Sequence, residues 1–351
     1  MRWLTTFILI VSVSLSGYAP SYAQEVFEES QGLFTTRQLR DSVTIGTENK
    51  VIIRSASTLQ GTIHITASAE NEVAVSYVKK SKTDSRSRAI DFIDLIAVHL
   101  ARSPQGVKLE LRAPNPAPWA DIETGQVEAE LIVPEGCVIE VDALYFDITA
   151  EGPFEAVVVP SSLGKLDIRD VTKQLELETA NRRVSIEKIS GKISVTTSNS
   201  LLTAKEISSA GRQARFQNDG GDIEIDGFVG EIRVKNSYGR IKIANFEPGT
   251  GRSSIRGFSG PIVVEITQIT DGQVVISNRF EDIEVRIPAN LSARLSLAVE
   301  EGGKIEVGNF QFKTDLVQPN RLNLVAGDGE ALISASVTGR GNIYLRAEEG
   351  D

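Results

Sequence analysis

The sequence predicts an all-β protein whose larger part is a β-solenoid: a β-helix-like stack of two-stranded coils behind a small β-rich N-terminal cap. Three observations carry that prediction. Apolar residues alternate in short runs instead of recurring at helical spacing, which marks strands. Two such runs recur together, in steps of mostly 18 or 21 residues, from about residue 138 onward. Asn and Gly stand at the intervening corners, where tight turns need residues tolerant of positive φ.

Composition sets the outer bounds. The chain has 351 residues, 41% of them hydrophobic, enough for a sizeable core. Its 37 Lys and Arg against 47 Asp and Glu give a net charge of -10 with no basic block, a poor basis for nucleic-acid binding. One Cys and two His exclude a disulfide framework and a thiolate zinc cage, so no cofactor is expected.

Residues 1–23 read as a signal peptide. Arg2 supplies the positive start, Trp3 to Leu15 the apolar run, and Ser21 and Ala23 the small residues before a cut. That run is shorter than the roughly 20 residues a spanning helix needs. No later stretch is long and apolar enough to span, and no Cys follows for a lipid anchor. The mature chain is therefore expected to start at Gln24, exported to the periplasm or cell surface. Its single thiol, Cys137, is safest there if buried.

Residues 24–40 are polar with scattered Phe27 and Phe34, and read as a flexible lead-in. Residues 41–133 form the β-rich cap. Alternation marks strands at Ser42–Ile45, Lys50–Arg54, Gly61–Ala67, Glu72–Lys79, Gly106–Arg112 and Gln126–Val133. Ala89, Phe92, Ile93 and Ile96 have helical spacing and predict one short helix before a strand near 95–102. Pro114, Pro116 and Pro118 stiffen a loop.

The repeat domain occupies 134–351. One row runs through Ile139, Val157, Leu175, Ile193, Ala214, Ile232, Ser253, Val274 and Leu295, each opening an inward-x-inward triplet. A second row trails it by about nine residues, through Leu166, Val184, Leu202, Ile223, Ile241, Ile262, Ile283 and Ile305. A single coil cannot cover its own apolar face, whereas stacked coils bury a continuous stripe. Eight to ten such coils would stand roughly 40–50 Å tall at about 4.8 Å per coil. After a longer step at 309–321, Leu322, Ala331 and Ile343 resume the pattern. Asn181, Asn199, Asn218 and Asn236 are corner residues that can stack amide on amide. Outward Asp222 and Glu224 precede Arg240 and Lys242 by one coil, an opposed-charge pairing. Arg215 above Arg233 breaks that rule.

The Val133-Pro-Glu-Gly136 lead into strand–Asn/Gly–strand units, with the later Ile287-Pro-Ala-Asn and Glu301-Gly-Gly-Lys-Ile-Glu-Val307, resembles the bacterial putative-adhesin β-solenoid family. The likeness covers roughly 40–350. It implies an exported envelope protein with no catalytic residues to carry over.

Candidate chemistry is sparse, and no catalytic, cofactor or metal residue is assigned. Asn218 to Asp226 resembles one calcium-binding β-roll nonapeptide, but the next coil brings Arg240 instead of a second ligand turn. A polysaccharide-processing site needs paired carboxylates, and Glu284 with Glu306 is the best outward pair in the rows. His64 and His99 lack neighbouring ligands in sequence and read as surface or packed residues. Outward Val158, Val263 and Val275 could mark a partner surface. The expected function is a non-catalytic, adhesin-like or scaffold module meeting envelope proteins or glycans. A polysaccharide-binding or polysaccharide-processing solenoid is the alternative, and a calcium-stabilised solenoid the third reading.

Overall fold

The computed structural model describes residues 25–120, 122–308 and 311–348; the predicted signal segment lies outside them. Those residues form a predominantly parallel β-stack, with one helix, Arg86–Asp94. Parallel pairing follows directly from repetition. Each coil presents the same alternation as the one before, so identical faces superimpose only if strands run in the same direction. The repeat confirms this in register: Ile193 beside Leu175, Phe216 beside Val195, and Val234 beside Phe216. The second row stacks likewise, Ile186 beside Ile168 and Ile225 beside Ala204. One continuous core runs through the stack from Ile45 to Leu345.

Each coil has a third inward row besides the two expected. Asp170, Lys188, Glu206, Gly227 and Asn245 all adopt left-handed backbone at the same point of successive coils. The bend swings the next side chain inward, so Val171, Ile189, Ile207, Phe228, Phe246 and Ile266 stack in register. Phe228 meets Phe216 and Phe246 edge to face, at 6.3 and 5.9 Å between ring centres. The corners between first and second rows are tied by amides. Asn199 donates to Asn181 Oδ1 at 3.3 Å, the expected stacking. Asn218, Asn236 and Asn278 instead turn inward, and each Nδ2 donates to corner carbonyls. At Gly221 an added Cβ would collide with the Ser200 carbonyl of the coil below, so only glycine fits.

The stack extends further toward the N-terminus than the repeat implied. Lys50–Ser55 pairs in parallel with both Val138–Asp142 and Gly106–Arg112. Leu59–Ser68 likewise lies between Phe146–Ser162 and Thr124–Pro134. Two coils thus belong to the solenoid from within the expected cap, giving about a dozen coils and roughly 55 Å of stack. The true caps are antiparallel strands: Ala97–Ser103 at Gly106–Arg112, and Glu72–Lys82 at Thr124–Pro134. Antiparallel additions close an edge that would otherwise template another chain.

The presumed lead-in is also structured. Val26–Ser30 and Leu33–Thr36 form a hairpin whose second strand pairs with Glu72–Lys82. Lys80 holds it, reaching Glu29 at 2.9 Å and Glu128 at 2.8 Å. Burial alone would lower the Lys80 pKa, but hydrogen bonds to Glu128 and Glu29 outweigh it and the net shift is upward. The helix covers this hairpin, packing Ala89 and Ile93 on Val26 and Phe34.

At the far end the stacking order departs from chain order. Ala331–Val337 and Ile343–Glu348 insert between the coil of Val274 and Ile283 and that of Leu295 and Ile305. The antiparallel strand Arg321–Ala326 then caps Ala293–Val299. Inward Ile, Leu, Val and Ala rows of equal width fit any neighbour, so chain proximity does not decide who stacks on whom.

Candidate interaction face

Most outward carboxylates of the second row have partners. Arg240 bridges Glu224 at 2.7 Å and Asp222 at 3.4 Å, and its backbone N–H donates to Asp222 Oδ1 at 2.9 Å. Lys242, the register neighbour of Glu224, makes no ion pair among the described residues, so Arg240 performs the expected cross-coil pairing alone. Asn245 donates to Asp226 at 2.7 Å. The segment with a β-roll resemblance is thus occupied by an Arg, and its Asn218 amide bonds the Ser200 and Gly221 carbonyls. Among the described residues no group of three His, Cys, Asp or Glu is placed to hold a metal.

Glu284 and Glu306 are not on adjacent coils, contrary to the reading of their spacing. Both pair with Tyr344 in register, one from each side, because the inserted strand Ile343–Glu348 separates them. Glu284 bonds Arg286 at 2.8 Å and Glu306 lies 3.8 Å from Arg346. Two ion-paired carboxylates two coil steps apart, with a tyrosine between them, do not make an acid–base pair.

His64 and His99 are both exposed. His64 stands between Thr149 and Glu130 in the sheet and lines a cleft of about 450 Å³ with Tyr77, Glu128 and Asp147. Burial, then the nearby Asp41 charge, raises the Tyr77 pKa. Val158, Val263 and Val275 are half-buried and dispersed over two rows, so they form no common patch. Cys137 is fully buried, its Sγ 3.1 Å from Asn49 Oδ1, and burial pushes its pKa up to about 11.

The first row's outer face changes character along the stack. Near its start Glu140 pairs with Lys50 at 2.6 Å and Glu176 with Lys192 at 3.8 Å. Ser194 and Thr196 follow on the next coil. Arg215 then lies beside Arg233, and Lys235 beside Arg256. These four exposed cations make no ion pair or side-chain hydrogen bond among the described residues. They line a groove of about 370 Å³ that holds no carboxylate. Ser254, an outward position in register with Arg233, is only 7% exposed at its floor. Like charges directly opposite each other destabilise a sheet, so the fold gains nothing from this arrangement.

Beside that groove, at the corner that ends the same coils, stands an exposed aromatic ridge. Tyr238 and Phe258 meet edge to face at 6.3 Å, and Phe258 and Phe280 at 5.2 Å. The Arg279 guanidinium lies 5.3 Å from the Phe258 ring centre and 5.0 Å from that of Phe280. Neither feature was read as a site from sequence. The ridge residues recur at steps of 20 and 22, outside both inward rows, and Arg215 above Arg233 registered only as an exception.

No family model and no curated protein matches the chain. Solved structures do match it, all at low identity and low TM-score. One, from Bacteroides fragilis, carries the description "putative adhesin"; it is 13% identical, covers 88% of this chain and 97% of its own, with a TM-score of 0.30. A second with that description, from Parabacteroides merdae, is 11% identical over 88% of this chain and 95% of its own, at 0.29. A "putative cell adhesion protein" of Clostridium sporogenes is 8% identical over 89% of this chain and all of its own, at 0.20.

Proposed function

We propose that this chain is a non-catalytic, exported adhesin-like protein that uses its solenoid as a rigid platform for binding an envelope or surface partner, protein or glycan. One observation carries the reading: most outward carboxylates of the second row have a cationic partner, while the first-row face keeps four unpaired cations in one carboxylate-free groove beside an exposed aromatic ridge. Unpaired like charges cost stability in the free protein, and a bound partner would offset that cost. A parallel stack suits such a role because its surface features repeat at fixed spacing and cannot shift independently.

Beads coated with the mature chain, starting at Gln24, should adhere to intact envelopes, and cross-linking should map contacts to the first-row face. Adhesion no better than that of beads carrying the unfolded chain would overturn the proposal. A mature N-terminus other than Gln24 would correct the export boundary.

A polysaccharide-processing reading has one specific observation behind it, the cleft where His64 stands between Thr149 and Glu130. Release of reducing ends or unsaturated sugars by the purified chain, lost in His64→Ala, would favour it.

A further inference from the structure

The groove between Arg215, Arg233, Lys235 and Arg256 has the chemistry of a polyanion subsite, and we infer that it binds an acidic polysaccharide, a chain bearing a carboxylate on successive sugars. This deepens the adhesive reading and rests on it. The four cations do not form a compact cluster. Arg215 and Arg233 are register neighbours in one column, and Lys235 and Arg256 in the next column over. The result is an oblique stripe crossing three coils and climbing about 10 Å along the stack. Adjacent coils are separated by close to the length of one sugar in an extended glycan. A regularly charged glycan can therefore meet a cation at each step.

Three further features narrow the ligand. The stripe rises toward the corner where Tyr238 and Phe258 are exposed, and aromatic rings there offer apolar faces to sugar C–H groups. Those rings meet one another edge to face and Arg279 lies over Phe258 and Phe280, so the ridge lacks the run of separate open faces on which successive bases of a single strand stack, and Tyr238 is the ring left for a sugar face. A second copy of this chain is a poor occupant too. The acidic part of the same face has Glu140 and Glu176 already paired with Lys50 and Lys192. The floor suits hydroxylated ligands, with Ser254 beneath the cations and Gln217 beside them.

The test is titration calorimetry of the full mature chain with size-defined oligogalacturonate, with uncharged dextran and an oligothymidylate as comparators. Oligogalacturonate should bind and dextran should not. Arg215→Glu with Arg233→Glu should weaken binding about tenfold or more, which corresponds to losing several exposed charge pairs. Lys205→Glu with Lys242→Glu changes the net charge equally on the second row and should leave the affinity within about twofold. Melting curves of both double variants would verify that the fold is kept. No binding of oligogalacturonate, equal losses in both double variants, or tighter binding of the oligothymidylate would each overturn the inference. So would self-association that disappears in the Arg215/Arg233 variant without any sugar binding. The coated-bead assay separates the two levels. Beads that still adhere while oligogalacturonate fails to bind refute the ligand class alone. Sugar binding without bead adhesion refutes the adhesive reading instead.

Discussion

Replacing Phe228 with alanine removes a ring of the third inward row that meets Phe246 on the next coil and first-row Phe216 on its own. The side chain is completely buried, and its neighbours are fixed in register by the coils above and below. Phe→Ala in a packed core costs about 3–5 kcal/mol, the spread reflecting how far the site can collapse. Collapse is limited here, because strand spacing is set by backbone hydrogen bonds, and two edge-to-face contacts disappear as well. The expected loss therefore lies near the top of that range. The exposed Phe258 supplies the comparison. It also touches two rings but is already 37% exposed, so its alanine variant should cost about 1–2 kcal/mol and leaves no internal cavity. Urea unfolding followed by far-UV circular dichroism gives both numbers. In a stack of nearest-neighbour coils, Phe228→Ala should also separate unfolding into two steps. Amide exchange would place the weak point between residues 214 and 246. A loss for Phe228→Ala under about 1 kcal/mol, or equal losses for both variants, would refute the internal third row.

Other expectations follow from single positions. Gly227→Asn should be nearly neutral, since Asn245 holds the same left-handed conformation one coil later and an added Cβ meets nothing closer than 3.6 Å; Gly221→Ala should cost several times more in the same melt. The Cys137 thiol should resist iodoacetamide in the folded protein and react on unfolding. Its pKa is higher folded than unfolded, so this contribution is fully present below the unfolded value, 9.0, and is lost as pH rises through about 11; a Cys137→Ala variant should lose that part of the alkaline slope. Lys80→Met should destabilise by about 1–3 kcal/mol and expose the N-terminal hairpin to protease first, because it severs the bonds to both Glu29 and Glu128.

The two inward rows were legible because apolar residues, mostly Ile and Val, alternate at steps of mostly 18 or 21, and as far as the coil of Val274 and Ile283 their partners in the structure are those the period implies. The third row was not. Its bend residues are Asp170, Lys188, Glu206, Gly227 and Asn245; Asp, Gly and Asn tolerate left-handed backbone, but Lys188 and Glu206 between them give no sign of it, so no repeated residue type marks the bend. The coils of Lys50–Ser55 with Leu59–Ser68, and of Gly106–Arg112 with Thr124–Pro134, were visible as strands. Their membership of the stack was hidden, because helix and hairpin segments interrupt the period. The lead-in read as polar for a physical reason: its strands are short and lie at an edge, and they bury few apolar side chains, chiefly Val26 and Phe34, beside the Lys80 ion pairs. For the candidate face, sequence supplied the residues but not the adjacency. A like-charge pair reads as an error until register places a second pair beside it and aromatic rings along its flank.

The insertion of Ala331–Val337 and Ile343–Glu348 below an earlier-made coil has a consequence for assembly. Residues 293–307 leave the ribosome first, yet the surface they stack on is supplied by residues 331–348. Growth of the stack from its N-terminal side must therefore pause after residue 288, with an unfinished sheet edge facing solvent. Closure then adds two coils in a single event, with the later segment acting as a keystone. A chain cut short near residue 330 would lack the surface on which residues 293–307 natively stack, leaving the coil of Val274 and Ile283 as a parallel edge ready to recruit another strand, that segment or one from another chain.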